Sequence, residues 1–376
     1  MSAGATGTVP DATATDDAEV DGEHHAAEPV VRSSAGPIVA VGTTVGAVLV
    51  GLLLGAVLIA VAGGSPGRGY LDMLDGAIGG RRELERLANS AAPLALMSLG
   101  YAVAFRARYL AIGAQGQHDV AGIAAAALVL NVGLGSPWIG IPAAVIVGAV
   151  AAAALGGLTA LLRTRWGVNE VIASLMLSYA AFYLLSWAVR SPLRNPTGFL
   201  PESARVPSWA ELPQIPGTDI DITAVVALLV VPVLGFVLGR TPLGFRITVI
   251  GSNPDAARTN GIDVGRTTLL AAAVAAALAG VAGALRLIGP EGRLSQSFST
   301  SMGFTAIVVA LLGRNRPSGV LLAAVFLAAL DIGGATMQRT QEIPSAVSSV
   351  IQALLVVLVL VANRLVARRR SNGGLV

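Results

Sequence analysis

The sequence predicts an all-α fold: a polytopic membrane protein with about ten transmembrane or half-membrane helices and a short cytoplasmic helix between two of them. Three observations support this prediction. Of the 376 residues, 54% are apolar and only 12% are charged, whereas soluble domains carry about 25% charged residues. The mean hydropathy is +0.72, and apolar segments close to the length that crosses a bilayer recur along the chain. The 45 glycines follow no collagen repeat and suit closely packed membrane helices.

The residue types that the sequence lacks exclude several kinds of chemistry. There is no cysteine, so disulfides, thiolate metal sites and cysteine nucleophiles are ruled out. All 25 basic residues are arginine, and both a P-loop and a Schiff base need lysine. The three histidines, His24, His25 and His118, are too scattered for a metal site or a Ser-His-acid set. We therefore expect neither enzymatic activity nor a cofactor in this chain.

The N-terminal segment differs in composition from the rest of the chain. Residues 1–30 contain seven of the 22 acidic residues and no arginine, so the remainder carries a formal charge of +10. Because this segment is rich in Ala, Thr and Gly and cannot bury a core, we expect residues 1–35 to form an acidic, disordered cytoplasmic tail. It lacks the positive start and early apolar stretch of a signal peptide, so we expect no cleavage.

Residues 36–366 form the predicted membrane domain. Met302–Leu312 is too short to cross the hydrocarbon as a straight helix, so it is either a tilted span or a half-helix packed inside protein. With this short segment included, there are ten predicted apolar segments: Pro37–Ala62, Ala88–Ala104, Val120–Leu134, Trp138–Leu162, Val171–Val189, Ile222–Leu238, Thr267–Ile288, Met302–Leu312, Gly319–Ile332 and Pro344–Ala362.

Arginine is distributed unevenly between the connections that join these segments. If the N-terminus lies inside, the cytoplasmic connections hold more arginines than the external ones, and the cluster Arg368–Arg370 agrees. We therefore expect a multi-pass protein of the cell membrane with both termini in the cytoplasm and a basic cytoplasmic tail at residues 367–376. Since arginines beside membrane spans explain the positive charge, we expect no binding of nucleic acid.

The external connection, residues 190–221, contains six prolines and Trp209. This composition predicts an ordered, extended cap rather than a flexible linker. The cap is either a lid over helix ends or a docking surface for an external partner, and composition does not decide between them.

The cytoplasmic connection, residues 240–266, contains the signals of a short helix. Asn253 is a good N-cap, Pro254 suits the first helical position, and Asp255 in the first turn favours the helix dipole. Gly261 can supply a left-handed stop. The predicted helix of about two turns is marginal alone, so it needs to pack against its own bundle or a soluble partner.

Asp255-Ala256-Ala257, followed by Gly261, resembles the EAA loop of ABC importer permeases, with Asp in place of Glu. In that superfamily the loop forms a coupling helix that docks in a groove of the ATPase subunit. The resemblance implies that the contacts with such an ATPase are made by Asn253, Pro254, Asp255, Ala256, Ala257, Arg258, Gly261 and Ile262.

Four stretches in order resemble the branched permease family that imports simple sugars and nucleosides, and together they sample residues 88–362. They are Ile112–Gln117, Val168–Leu177, Gly251–Ile262 and Gly303–Pro317. The family usually has Glu where Gln115 stands, so this chain departs from the pattern there. The length of the chain and its Pro-rich external loop are most similar to the longer permease of bacterial nucleoside importers.

Several polar or aromatic positions are candidates for a translocation path, each with a structural alternative. Asn169 and Glu170 either cap a helix and pair with its dipole, or contact the ATPase or an inner gate. Gly113–Gln117 interrupts a helical region, either as a simple turn or as non-helical backbone lining a cavity. Phe304 either packs or stacks on a base or sugar. The candidate path residues are Gly113, Gln115, Gln117, Asn169, Glu170 and Phe304.

Charged residues inside the spans are few. Asp331 is the one acidic residue inside a predicted span, so it either faces the bundle or an aqueous path, or lies at the outer interface. The end of the segment near Gly333–Gly334 favours the interface, and the same alternatives hold for Arg286. An ion-gradient-driven secondary transporter of a small polar solute, the alternative function, requires ionisable groups deep in the spans. A membrane-embedded enzyme, a further alternative, requires paired carboxylates or a histidine cluster, and the sequence indicates neither.

The resemblance thus implies the permease subunit of an ABC importer, which moves a nucleoside or related simple sugar into the cell by alternating access. ATP and Mg would be bound by a separate ATPase subunit. The implied partners also include a second permease subunit, expected to be a paralogue, an extracellular solute-binding lipoprotein and membrane lipid.

Overall fold

The computed structural model describes residues 37–299 and 301–372, with backbone alone at 37–45, 345 and 363–372. The predicted acidic tail at residues 1–35 lies outside the described residues. The described part contains thirteen α-helices: α1 (Pro37–Val61), α2 (Pro66–Ile78), α3 (Arg81–Arg106), α4 (Ala114–Asn131), α5 (Pro137–Trp166), α6 (Glu170–Arg190), α7 (Ile222–Arg240), α8 (Pro242–Ser252), α9 (Pro254–Thr259), α10 (Val264–Arg286), α11 (Met302–Leu312), α12 (Pro317–Gln341) and α13 (Ser345–Asn372).

The all-α prediction is confirmed, whereas the count of about ten membrane helices is not. Among the described residues, six helices are long and apolar enough to span a membrane, namely α3, α5, α6, α7, α10 with its continuation, and α12. Gly46–Val61 and Pro66–Ile78 pass the same test only as a pair that bends by 113°. α11 and Ala346–Ala362 of α13 are apolar but shorter.

α2 is a helix that the sequence analysis did not predict. It buries Gly69, Met73 and Gly76 and exposes Leu71 and Leu74. Its apolar residues therefore lie on more than one face of the helix, and they do not form the continuous apolar run that indicates a membrane span. Its buried face packs against the second half of α12. α1 and α13 pack beside this pair, and all four helices contribute to one small apolar cluster.

α10 lies at the centre of the larger helix cluster, in contact with α3, α4 and α5. Small residues permit this close packing. A Cβ on Gly280 would lie 2.6 Å from the Cβ of Ala152 on α5, and one on Gly283 would collide with the backbone carbonyl of His118 on α4. Close approach through small residues is a common way to associate membrane helices, because lipid offers no hydrophobic driving force between them.

The two ends of this cluster differ in structure. At the end that we call the α9 end, α8, α9 and the start of α10 meet the end of α3, whose Arg106 donates to the carbonyl of Asn315 at 3.2 Å. α10 then runs about 34 Å to the opposite end. There residues 191–221, which we call the cap, cover the chain that follows α10.

The chain after α10 is broken rather than helical. One turn of π-helix occupies Leu287–Glu291, with a non-helical backbone at Gly289, and one turn of 3-10 helix occupies Gln296–Phe298. α11 follows with 11 residues, or about 16 Å, roughly half of the hydrocarbon thickness. The boundaries of α11 are those predicted, and we call residues 287–301 the broken segment, of which Thr300 is outside the described residues.

Candidate functional site

α9 has the local structure that the sequence predicts. The side chain of Asn253 accepts hydrogen bonds from the backbone N–H of Asp255 at 3.0 Å and of Ala256 at 3.1 Å. Asp255 and Arg258 form an exposed ion pair along the helix, and Gly261 has a φ of +74° just past its end. The predicted N-cap and left-handed stop are therefore confirmed. The six residues of this helix make just under two turns, which agrees with the prediction.

α9 is attached to the bundle by one face only. Ala257 is fully buried, and its carbonyl accepts from the N–H of Ile262, which packs on the main core. Asp255, Ala256 and Arg258 are exposed. The residues predicted to contact an ATPase thus divide into a buried anchor and an exposed surface.

A cavity of about 640 Å³ adjoins α9. It lies between the end of α5, at Arg163 and Thr164, and the α9 residues Pro254 and Arg258, with Gly261 and the start of α10 completing it. The exposed surface of α9 therefore borders a recess at the α9 end of the bundle.

Asn169 and Glu170 also lie at the α9 end of the molecule, at the start of α6. The side chain of Asn169 accepts from the N–H of Val171 at 2.9 Å, which confirms the capping interpretation. Glu170 forms an ion pair with Arg163 at 2.9 Å, and the Arg163 guanidinium lies 5.6 Å from the centre of the Tyr109 ring. Both residues therefore have structural partners, and a contact with an ATPase or gate stays a prediction.

Gly113–Gln117 is not the non-helical stretch that the sequence predicted. α4 begins at Ala114, so Gln115 and Gln117 lie in its first turn, where both side chains are buried, and the irregular backbone precedes Ala114. The amide oxygen of Gln115 accepts from the N–H of Gly303 at 2.9 Å, at the start of α11. Gln115 therefore joins α4 to α11 across 188 positions of sequence.

Asp119 is a buried acidic residue that the sequence analysis missed. The predicted apolar segment began at Val120, whereas α4 begins at Ala114 and so includes Asp119. The Asp119 carboxylate is fully buried and accepts from Gln115 at 3.0 Å and from the Ser299 hydroxyl. The i,i+4 spacing of Gln115 and Asp119 is the signal that could have identified this pair.

His118 has close polar and aromatic neighbours that the sequence analysis did not predict. Its Nδ1 lies 3.1 Å from Asp119, and its ring stacks on Phe298 with ring centres 4.5 Å apart. Within the described residues its Nε2 is buried without a hydrogen-bond partner. Together, Gln115, His118, Asp119, Phe298 and Ser299 form what we call the α4 cluster, which holds the broken segment against α4.

Three further residues have positions that the sequence did not settle. Phe304 lies beside Gly303 at the start of α11, and 46% of its surface is exposed. Arg286 forms an ion pair with Glu291 at 2.8 Å and lies over the ring of Phe298. Asp331 is exposed within α12, which does not end near Gly333–Gly334 as expected but continues to Gln341.

The cap is held on the broken segment by backbone hydrogen bonds. Leu212 donates to the carbonyl of Ile288 at 2.7 Å, and Val206 donates to that of Gly292 at 2.8 Å. Trp209 packs against the first turn of α5, at Gly140. A polar cavity of about 590 Å³ lies between the cap, the broken segment and Asn89 of α3.

Comparison with known proteins identifies the family. Residues 83–360 match the family described as branched-chain amino acid transport system / permease component. This chain belongs to that family. The predicted resemblance is confirmed, and the protein is a multi-pass membrane permease, a component of a transport system.

Three relatives are similar in sequence to this chain over most of its length. The glucose ABC transporter permease protein TsgB13 of Haloferax volcanii is 35% identical over 291 residues, which cover 74% of this chain and 76% of that protein. The guanosine ABC transporter permease protein NupP of Bacillus subtilis is 31% identical, over 83% of this chain and 91% of that protein. The nucleoside ABC transporter permease protein NupB of Lactococcus lactis is 30% identical, over 78% and 83%.

Proposed function

We propose that this chain is the permease subunit of an ABC importer that moves a nucleoside or a related simple sugar into the cell. The names of the relatives, which include glucose, guanosine and nucleoside permeases, support this substrate class. The structural observation that carries the proposal is α9. It is a capped helix of six residues, seated by Ala257 and otherwise exposed at one end of the bundle.

The geometry supports α9 as the element that receives force from a separate ATPase, which binds ATP and Mg. A short turn connects α9 to α10, and the N-cap of α10, Asp263, accepts from the N–H of Arg266 at 2.9 Å. α10 crosses the cluster and ends at the broken segment. A displacement of α9 would therefore reach the opposite end of the bundle through one central helix, and the cycle would alternate access between the two sides.

The assembly requires further partners in this proposal. A second permease subunit, expected to be a paralogue, pairs with this chain in the cell membrane, and an extracellular lipoprotein delivers the solute. α9 and both termini face the cytoplasm, whereas the cap faces outward. The solute path runs past Gly113, Gln115, Gln117 and Phe304, with Asn169 and Glu170 at its inner end.

Cross-linking tests the contact with the ATPase. Because the chain contains no cysteine, Thr259→Cys introduces a single thiol on the exposed side of α9. We expect it to cross-link to the ATPase subunit in the assembled transporter. The matched control, Phe199→Cys, places a thiol at an exposed position of the cap at the opposite end and should give no such product.

Two outcomes would contradict the proposal. One is a Thr259→Cys protein that never traps an ATP-hydrolysing subunit while the assembly still transports solute. The other is uptake by the purified chain alone in liposomes, driven by a proton or sodium gradient, which would favour the secondary transporter.

A further inference from the structure

The cavity between the cap and the broken segment has the size of a ligand site. Its volume of about 590 Å³ falls within the roughly 300–1,000 Å³ of small-molecule pockets. It opens at the end of the bundle opposite α9 and is enclosed by three separate parts of the chain, namely α3, the cap and the broken segment. Non-helical backbone at a broken membrane helix is typical of transporter binding sites.

The lining groups suit a neutral solute with several hydroxyls. Carboxylates come from Glu211, Asp221 and Glu291, and guanidinium groups come from Arg205 and Arg293. The mixture disfavours both a free anion, which would face the carboxylates, and a cation, which would face the arginines. Hydroxyls both donate and accept, so a sugar ring can bond to both kinds of group.

The same lining argues against recognition of a base. Within the described residues no aromatic side chain borders the cavity, so nothing there offers a stacking surface for a base or ring face. Nor do the described residues contain a cluster of His, Asp or Glu that could hold a metal ion. The cavity therefore fits the sugar part of a solute rather than a base or a metal ion.

Asp221 contributes a buried carboxylate to the lining of the cavity, and its contacts suggest that it binds a ligand. It occupies the N-cap of α7 with an extended backbone, yet in the described part of the chain its side chain makes no capping hydrogen bond. It is only 4% exposed, and its Oδ2 lies 3.7 Å from where a Cβ on Gly289 would be. Burial raises the pKa of this carboxyl, while a hydrogen bond from Gln214 opposes that shift. Solute hydroxyls would compensate the lost hydration.

The backbone around Asp221 is held in place by α3. The amide oxygen of Asn89 accepts from the N–H of Asp221 at 2.9 Å, and its amide nitrogen donates to the carbonyl of Asp219 at 2.7 Å. Asn89 is thus a positioning residue for this wall of the cavity.

The opposite wall connects the cavity to the α4 cluster. Glu291 pairs with Arg286, the Arg286 guanidinium lies 5.4 Å from the centre of the Phe298 ring, and that ring stacks on His118. A ligand that engages Glu291 would therefore act on the contact that holds the broken segment against α4.

We propose that this cavity is a sugar-ring site, supplied by this chain alone, in which Asp221 and Glu291 accept hydrogen bonds from neighbouring hydroxyls. This inference rests on the proposed function and deepens it, because it gives the permease its own recognition of the sugar part. A solute-binding lipoprotein would then not be the sole source of specificity.

Protection from thiol labelling tests the site in the full chain. Pro290→Cys places a single thiol on the cavity wall at an exposed position, and it removes no charge and no side-chain hydrogen bond. We expect ribose, glucose and guanosine each to slow its reaction with a water-soluble maleimide. A thiol at Phe199, on the outer surface of the cap, should react at the same rate with or without sugar.

A matched pair of substitutions then isolates the carboxylate. In the Pro290→Cys background, Asp221→Asn should raise the concentration of ribose needed for protection by about tenfold or more, as expected for the loss of a hydrogen bond to a charged group. Asp219→Asn removes the same charge two positions away, from an exposed side chain, and should leave protection unchanged.

The outcomes separate this inference from the proposed function. Absence of protection up to about 10 mM, where a site with a Kd near 1 mM would be filled, would overturn the sugar site. So would equal effects of Asp221→Asn and Asp219→Asn. Uptake of guanosine and glucose by the unmodified assembly is measured in parallel, and failure of both would instead overturn the proposed substrate class.

Discussion

Within the α4 cluster, Asp119 contacts three other members, namely Gln115, His118 and Ser299. Its carboxylate accepts hydrogen bonds from Gln115 and Ser299 and faces Nδ1 of His118, so it satisfies groups from both sides of the contact between α4 and the broken segment. A buried carboxylate is costly unless it is bonded in this way. The cluster therefore depends on an acceptor at this position more than on the charge itself.

Substitution of Asp119 tests that dependence. Asp119→Leu leaves the surrounding donors without an acceptor, and we expect it to destabilise the chain by roughly 1–3 kcal/mol for each such donor. Asp119→Asn keeps one oxygen and should cost less. The measurement is thermal unfolding of the detergent-solubilised protein, with the exposed Asp331→Asn as the control. Equal losses for Asp119→Leu and Asp331→Asn would contradict this role.

At the scale of elements, α9 depends on signals that act over a few residues. Asn253 satisfies two backbone donors, Pro254 occupies the first helical position and Gly261 reverses the chain at a φ of +74°. Ala257 is the one residue of α9 classed as buried, so it determines how the helix is seated. These features place a rigid, exposed segment at the start of the central helix α10.

Gly261 offers a test of that rigidity. Proline holds φ near −65°, so Gly261→Pro is incompatible with the observed backbone, whereas asparagine tolerates a positive φ. We expect Gly261→Pro to abolish uptake and to uncouple ATP hydrolysis while membrane insertion persists, and Gly261→Asn to retain most of both. Ala257→Glu should behave like Gly261→Pro, because it places a charge in a fully buried position. Normal uptake by Gly261→Pro and Ala257→Glu would remove the coupling assignment.

At the scale of the whole molecule, the two ends of the bundle carry different structures. One end presents α9 and the recess beside it, and the other presents the cap over a polar cavity. α10 joins them and is packed on α3, α4 and α5 through small residues, so it has little freedom to bend independently. The importer proposed for this chain needs such a division, since energy and solute would arrive from opposite sides of the membrane.

Labelling of intact cells tests the orientation that follows from the arginine distribution. A single thiol from Phe199→Cys should react with a membrane-impermeant maleimide added outside, because the cap is expected to face outward. A thiol from Ala256→Cys should react only after permeabilisation. The reverse pattern would place α9 outside and would contradict the orientation, although not the fold.

Local features of the sequence were sufficient for the all-helical class, the bounds of α11 and the caps of α6 and α9. Asn169, Asn253 and Gly261 act on backbone groups within four positions, so their effects can be predicted without knowing what lies nearby. Apolar length likewise indicates a helix from composition alone. The start of α4 was misplaced because Asp119 and His118 make the first turns of that helix too polar to be recognised as part of a span.

Only the tertiary structure decided which polar groups meet. Gln115 and Gly303 are 188 positions apart, and Asn89 and Asp221 are 132 apart, yet each pair shares a hydrogen bond. Partners at such separations leave no periodic signal, because their pairing depends on how several helices pack at once. α2 was missed because it has no continuous apolar run, and its buried face is matched to α12, far along the chain. The chain's helices could thus be predicted from local chemistry, whereas the α4 cluster and the cavity beneath the cap exist only where distant segments come together.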